Sequence, residues 1–166
     1  MTFLLTPKLE KYFNRLSMKS GFFNRLLSFF YMPFVFKSGL KINFVENDYY
    51  AILPKKRFNK NWYGTMAGGP ILGNSELAAG SYLFMLSKGE YRMICTHLNY
   101  RFLLPSLDSV MYKAFVDLEE LASKIKTGEK FNIDMTIKVF RLKNKDNAGR
   151  RIGSGSISFH VWPIGN

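Results

Sequence analysis

The chain has 166 residues, of which 47% are hydrophobic and 16% aromatic, enough apolar material for one domain with a core of its own and too much for a disordered chain. Its one cysteine, Cys95, excludes an intrachain disulfide and a cysteine-built zinc cluster, and fits a reducing, cytoplasmic setting. The 24 Lys and Arg against 12 Asp and Glu give +12, which favours an anionic partner such as nucleic acid, anionic lipid or coenzyme A; the charge is spread along the whole chain, so a generally basic surface explains it equally well.

Between Thr6 and about Phe30, aromatic and aliphatic residues alternate with Lys8, Lys11, Arg15, Lys19 and Arg25 at helical spacing, and Gly21 divides the stretch into two predicted short helices. Residues 1–37 therefore read as an amphipathic helical segment packing on the domain, with docking on a membrane surface as the alternative. The apolar run Leu26 to Phe36 falls short of the roughly 20 residues that span a bilayer and is broken by Pro33, so no transmembrane helix is expected. A secretory signal is not expected either, because Lys8, Glu10 and Lys11 arrive before any apolar stretch.

From Leu40 the period changes to two. Leu40 to Val45 and Tyr49 to Leu53 read as strands, and four longer strand-like runs follow at Tyr91–Leu104, Ser109–Glu119, Lys130–Leu142 and Arg151–Trp162. Leu121 to Thr127 is a short helical or bulged connection, and Lys143 to Gly149 a hairpin turn. Between the second and third strands a helix is predicted from Pro70 to about Ser87, with Gly69 as its cap. The pattern implies an α+β domain over residues 38–166, an antiparallel sheet wrapped on one helix.

That helix is apolar or small almost all the way round, so it is expected to be buried on most sides. Glu76 is its only charged residue, and a mostly buried carboxylate needs a partner or a purpose. Gly73, Ala79 and Gly80 lie three and four residues from it and leave its face open to a ligand. The glycines at 64, 68, 69 and 73 fit neither a phosphate-binding loop nor a dinucleotide fingerprint nor a nucleophile elbow. They do fit an oxyanion site: the first N–H groups of the helix, near Gly68, Gly69 and Ile71, are expected to lack intrahelical partners and can stabilise charge on a carbonyl oxygen. Asn61 can add a side-chain amide, and Glu76 can act as general base or nucleophile. Glu76 lies about 10 Å beyond Gly69 along the axis, however, so one carbonyl cannot easily touch both. Two helices meeting across a two-fold axis would resolve this by sharing the site between subunits. The competing reading keeps the glycines for packing and pairs Glu76 with a cation.

The order Asn61-x-x-Gly64-Thr65-Met66-x-Gly68-Gly69, followed seven residues later by Glu76, resembles the hotdog-fold acyl-CoA thioesterases of the phenylacetate-pathway type. Residues Met32 to Ile42 and Asn61 to Gly69 are most similar to an uncharacterised bacterial branch of that superfamily, and the resemblance covers about residues 30 to 163. It implies five or six antiparallel strands around the helix, with the extra amino-terminal helices outside, in a homodimer or dimer of dimers with the site at the subunit interface. By position, Glu76 resembles the catalytic acid, Asn61 the polar group near the thioester and Gly68 or Gly69 the oxyanion donor. Thr65, Met66, Gly73, Cys95 and Asn99 are placed along the substrate, Cys95 where some relatives carry a serine on the third strand. The basic residues Arg141, Lys143, Lys145, Arg150 and Arg151 read either as an ordinary solvated turn, the slightly favoured reading, or as a hold on the phosphates of coenzyme A, which would be part of the substrate, so no separate cofactor and no metal are expected. One departure stands out: many such enzymes have His before the paired glycines, and here that residue is Ala67. Acyl-CoA hydrolysis is the leading expectation and acyl-CoA binding without turnover the second. Nucleic-acid or membrane binding ranks last, since no nucleic-acid signature is present.

Overall fold

The computed structural model describes residues 32–45, 48–144 and 147–165, with positions 6, 8, 9, 11 and 12 near the start. The two helices expected between Thr6 and Phe30 lie largely outside the described residues. Six strands, β1 (Lys41–Val45), β2 (Asp48–Leu53), β3 (Tyr91–Phe102), β4 (Val110–Val116), β5 (Phe131–Asn144) and β6 (Asn147–Pro163), form one sheet in the order β1-β2-β4-β5-β6-β3. Every neighbouring pair is antiparallel. Among the described residues the helices with both bounds given are α1 (Pro33–Ser38), α2 (Gly68–Leu86) and α3 (Leu118–Thr127). This is the expected α+β arrangement, with α2 crossing from β2 to β3 at the far edge and packing on β2 to β6.

Alternation along β5 buries Ile133, Met135, Ile137 and Val139, and along β6 it buries Ile157, Phe159 and Val161; these meet Ala78, Ala79 and Leu83 of α2 in one core. Two hydroxyls tie the helix to the sheet. Tyr49 of β2 donates to the Ala78 carbonyl and Tyr112 of β4 to the Ile71 carbonyl, at 2.5 and 3.1 Å.

The helix starts at Gly68 with Ala67 as its cap, two residues before the sequence-based start. The reason is that a proline fits any position of the first turn, where no N–H has an intrahelical partner, so Pro70 does not by itself mark the first residue. The 121–127 connection is a helix: Asp117 caps it by accepting from the N–H groups of Glu119 and Glu120, and Gly128 ends it at φ +68°. The hairpin expected at 143–149 joins β5 to β6, and most of the stretch is strand, because the ladder absorbs three register shifts and continues to Asn144 and Asn147. α1 lies at the end of the segment 1–37 that reads as helical, past Phe30, where the two short helices were expected to stop. Its Ser38 is fully buried, and Asn59 Nδ2 donates to the Ser38 carbonyl while Ser38 Oγ lies 3.0 Å from Asn74 Oδ1 of α2. Among the described residues no helix is long and apolar enough to cross a membrane.

Burial holds the phenols of Tyr49, Tyr100 and Tyr112 above their ordinary range. A folded-state pKa raised above the unfolded value contributes stability that is complete below about pH 10 and is lost as pH rises toward the folded value. Denaturant unfolding followed from pH 7 to 11.5 should therefore show stability falling above about pH 10. Tyr112→Phe should weaken that fall and lower stability at pH 7 by about 1 kcal/mol.

Candidate functional site

The loop before α2 is a closed turn. Lys60 and Met66 bridge, Asn61 N–H donates to the Thr65 carbonyl at 2.9 Å, and Gly64 sits at φ +73°, where glycine is favoured. Asn61 builds this turn with its side chain: Oδ1 accepts from Tyr63 and Thr65 N–H, and Nδ2 donates to Thr65 Oγ1 at 2.7 Å. The side chain expected to face a thioester is thus engaged within its own loop, as is the Thr65 hydroxyl. Met66 is buried in the core, so its place in the sequence pattern is an anchoring one. Its N–H donates to the Ser106 carbonyl and that of Ala67 to the Asn59 carbonyl.

Beyond Ala67 the accounting changes. Alanine offers no capping oxygen, the helical ladder begins with Ile71 N–H to the Ala67 carbonyl, and Pro70 has no N–H. Among the described residues the N–H groups of Gly68 and Gly69 have no partner, and both glycines are exposed. A Cβ on Gly69 would meet nothing within 4 Å, whereas one on Gly68 would meet the Phe102 ring at 3.3 Å. The opening is therefore flanked by Phe102, whose ring packs edge-on against Tyr100 at 4.6 Å. Two free donors at the positive end of a 19-residue helix suit a developing oxyanion.

Glu76 is exposed, contrary to the expectation of burial. The buried residues of α2 are Ile71, Asn74, Ser75, Ala78, Ala79 and Leu83; Leu83, seven residues beyond Glu76 and hence on its face, is fully buried, so the cover on that face ends between the two. Among the described residues it has no ion-pair partner, so the competing salt-bridge reading finds no cation here. Its neighbour is Cys95, at a bulge where β3 shifts register between Cys95 and His97. Burial first, and then the Glu76 carboxylate, hold the Cys95 thiol above its ordinary value, so it is protonated at neutral pH.

Other expected site residues separate from this pair. Gly73 is covered by α1, where a Cβ would meet Phe34 Cζ at 3.0 Å, so it serves helix packing. Asn99 is exposed between Leu98 and Tyr100, which pack on the core, and so projects from the opposite face of the sheet. Alternation puts His97 and His160 on that outer face too, away from Ser75 and Ser81 of α2, and His160 Nδ1 pairs with Asn132 there. Arg150 lines a depression with Arg141 and Lys143; Arg151 is exposed but does not line it. The roles of Tyr100 and Phe102 escaped the sequence reading. The signal was the run Gly153-Ser-Gly155 in β6, where a Cβ at Gly153 would collide with the Tyr100 ring and one at Gly155 with the Asn99 carbonyl.

No family model matches the chain, and neither does any curated protein. Solved structures do. A protein of unknown function from Chlorobaculum tepidum superposes with TM-score 0.70 at 16% identity, over 89% of this chain and 94% of that one. A thioesterase from Haemophilus influenzae gives 0.63 at 15% identity, over 80% and 84%, and a thioesterase family protein from Silicibacter pomeroyi 0.62 at 18%, over 84% and 96%. At such identities the likeness carries the fold and leaves the chemistry to the site. With six antiparallel strands wrapped on one long helix, and these neighbours, the chain is a hotdog-fold protein.

Proposed function

We propose that the protein hydrolyses an acyl thioester, with acyl-CoA as the leading substrate, at a site shared between two copies of the chain. The observation that carries this reading is the presence on one helix of two exposed N–H groups, at Gly68 and Gly69, and, two turns along, an exposed carboxylate, all without a partner among the described residues. The axial separation of about 10 Å is too long for one carbonyl, so a second chain supplies the complementary half. Trp62 and Tyr63, fully exposed at the tip of the Asn61 turn, support a partner surface beside the site.

In the proposed reaction the thioester carbonyl oxygen lies against the Gly68 and Gly69 N–H groups of one chain. Glu76 of the other takes a proton from water as the water oxygen bonds to the carbonyl carbon. Collapse of the tetrahedral intermediate breaks the C–S bond, and the leaving thiolate takes the proton back. The products are a carboxylic acid and a free thiol. The protonated Cys95 adds no second negative charge beside Glu76. A second reading, acyl-thioester binding without turnover, draws on Ala67, since no imidazole precedes the glycines to polarise the carbonyl.

A thiol-release assay over a panel of acyl-CoA substrates tests the reaction. Glu76→Gln should lower kcat by about 10²–10⁴ with little change in KM; an unchanged rate removes Glu76 from the chemistry. Calorimetric binding of acyl-CoA with no hydrolysis across the panel would select the second reading. Gly69→Val should lose about 10²-fold in kcat/KM by filling the approach to the donors, with the melting temperature measured beside it as the control on folding. Because Cys95 is the only thiol, its alkylation rate against pH reports its neighbourhood directly: the midpoint should lie above the ordinary thiol range and move down in Glu76→Gln.

A further inference from the structure

Two glycines in succession are the least constrained residues a chain can place at a helix start, and neither has a side chain to hold it. Backbone donors act only where they are fixed beforehand, so the rigidity of Gly68 and Gly69 has to come from their neighbours. Three polar side chains that the sequence reading did not single out supply it. Ser38, Asn59 and Asn74 are all fully buried, and they come from the end of α1, the 3₁₀ turn Arg57–Asn59 and α2.

Together they close a circuit of hydrogen bonds round the first turn of α2. The Asn59 carbonyl accepts from Ala67 N–H at 2.8 Å, one residue before Gly68. The Asn59 side chain donates through Nδ2 to the Ser38 and Pro54 carbonyls, at 2.8 Å each. Ser38 Oγ lies 3.0 Å from both Asn74 Oδ1 and the Val35 carbonyl, so one proton serves two acceptors. Asn74 Nδ2 donates in turn to the Pro70 carbonyl at 2.8 Å, one residue after Gly69. The circuit thus ends on Ala67 and on Pro70, and the glycine pair is what lies between them. Beyond Pro70 the Ile71 carbonyl is held as well, by the hydroxyls of Ser75 and Tyr112.

Packing alone does not account for this arrangement. Each buried polar side chain gives up water, and its new bonds only offset that loss; Asn59 Oδ1 is buried with no hydrogen-bond partner among the described residues. Apolar side chains of like volume would join the three segments without that cost. What a polar circuit adds is direction, because hydrogen bonds fix orientation where apolar contacts allow sliding.

We propose that Ser38, Asn59 and Asn74 are positioning residues: their circuit fixes Ala67 and Pro70 and thereby aims the N–H groups of Gly68 and Gly69, with α1 contributing the residue that closes it. The inference rests on the oxyanion reading of the glycine pair for its chemical consequence, and on the hydrogen bonds alone for the fixed geometry.

The test uses the whole chain. Asn59→Ala opens the circuit outright at the risk of the fold, so the milder Ser38→Ala and Asn74→Ala are the variants measured. Ile133→Val is the control for lost stability alone: Ile133 is buried in β5 and pairs with Phe159, which lies against Gly80 toward the other end of α2. Backbone ¹⁵N relaxation should give Gly68 and Gly69 the order parameters of a rigid chain in the wild type, about 0.85, falling below about 0.6 in Asn74→Ala and unchanged in Ile133→Val. Glycines already mobile in the wild type, or equally ordered in every variant, overturn the proposal. With an acyl-CoA that the wild type hydrolyses, Ser38→Ala and Asn74→Ala should each lower kcat about tenfold or more while KM stays within about twofold. The double variant should lose little more than the larger single loss, because either change opens the same circuit. Additive losses, a rise in KM in place of the fall in kcat, or the same fall in Ile133→Val overturns it. Ordered glycines that loosen in the variants, with no hydrolysis of any thioester, would defeat the catalytic reading alone; hydrolysis with unchanged kcat in both variants would defeat this inference alone.

Discussion

The rotation of α2 about its own axis is the constraint on which the rest depends. Ile71 and Ala78 are seven residues apart, hence on one face of the helix and about 10 Å apart along it, and each carbonyl accepts a hydroxyl from a strand tyrosine. Two such points fix both the direction of the axis and which side meets the sheet. Ala78 and Ala79 allow close approach there, and Leu83 fills the space farther along. Gly68, Gly69 and Glu76 remain exposed all the same, although Ser75 and Leu83, seven residues beyond Gly68 and Glu76 on the same faces, are buried.

The helix start is left unsatisfied by composition and by context together. An alanine cap, two glycines and a proline remove side-chain acceptors and bulk from the first turn, while the residues just before it spend their N–H groups on Asn59 and Ser106. The Asn61 turn then has a mechanical role. It holds the loop so that Met66 is anchored in the core and Gly68 follows at a defined place. Positioning of this sort is as necessary to a backbone-donor site as the donors themselves, because such donors act only where their geometry is fixed before the charge develops.

The same loop-anchoring logic extends to the basic hairpin. Residues 103–109 touch the chain before α2 on one side and both hairpin strands on the other. The bulges that make the depression also explain why the hairpin's charges gather rather than alternate across the sheet.

Period and punctuation were enough to read the α+β class, all six strands, the central helix and the odd acid on it, because alternation and apolar helices are local properties of neighbouring residues. The glycine pair was legible for the same reason: which N–H groups lack intrahelical partners follows from where a helix begins. Tertiary structure alone decided which face of that helix is covered. It exposed Glu76, set Cys95 beside it at a bulge, put Asn99 on the far side of the sheet, laid Phe34 on Gly73 and drew Arg141, Lys143 and Arg150 together. Each of these outcomes turns on a one-residue shift in register or on contact between segments far apart in the chain, and neither leaves a periodic trace in the order of the amino acids.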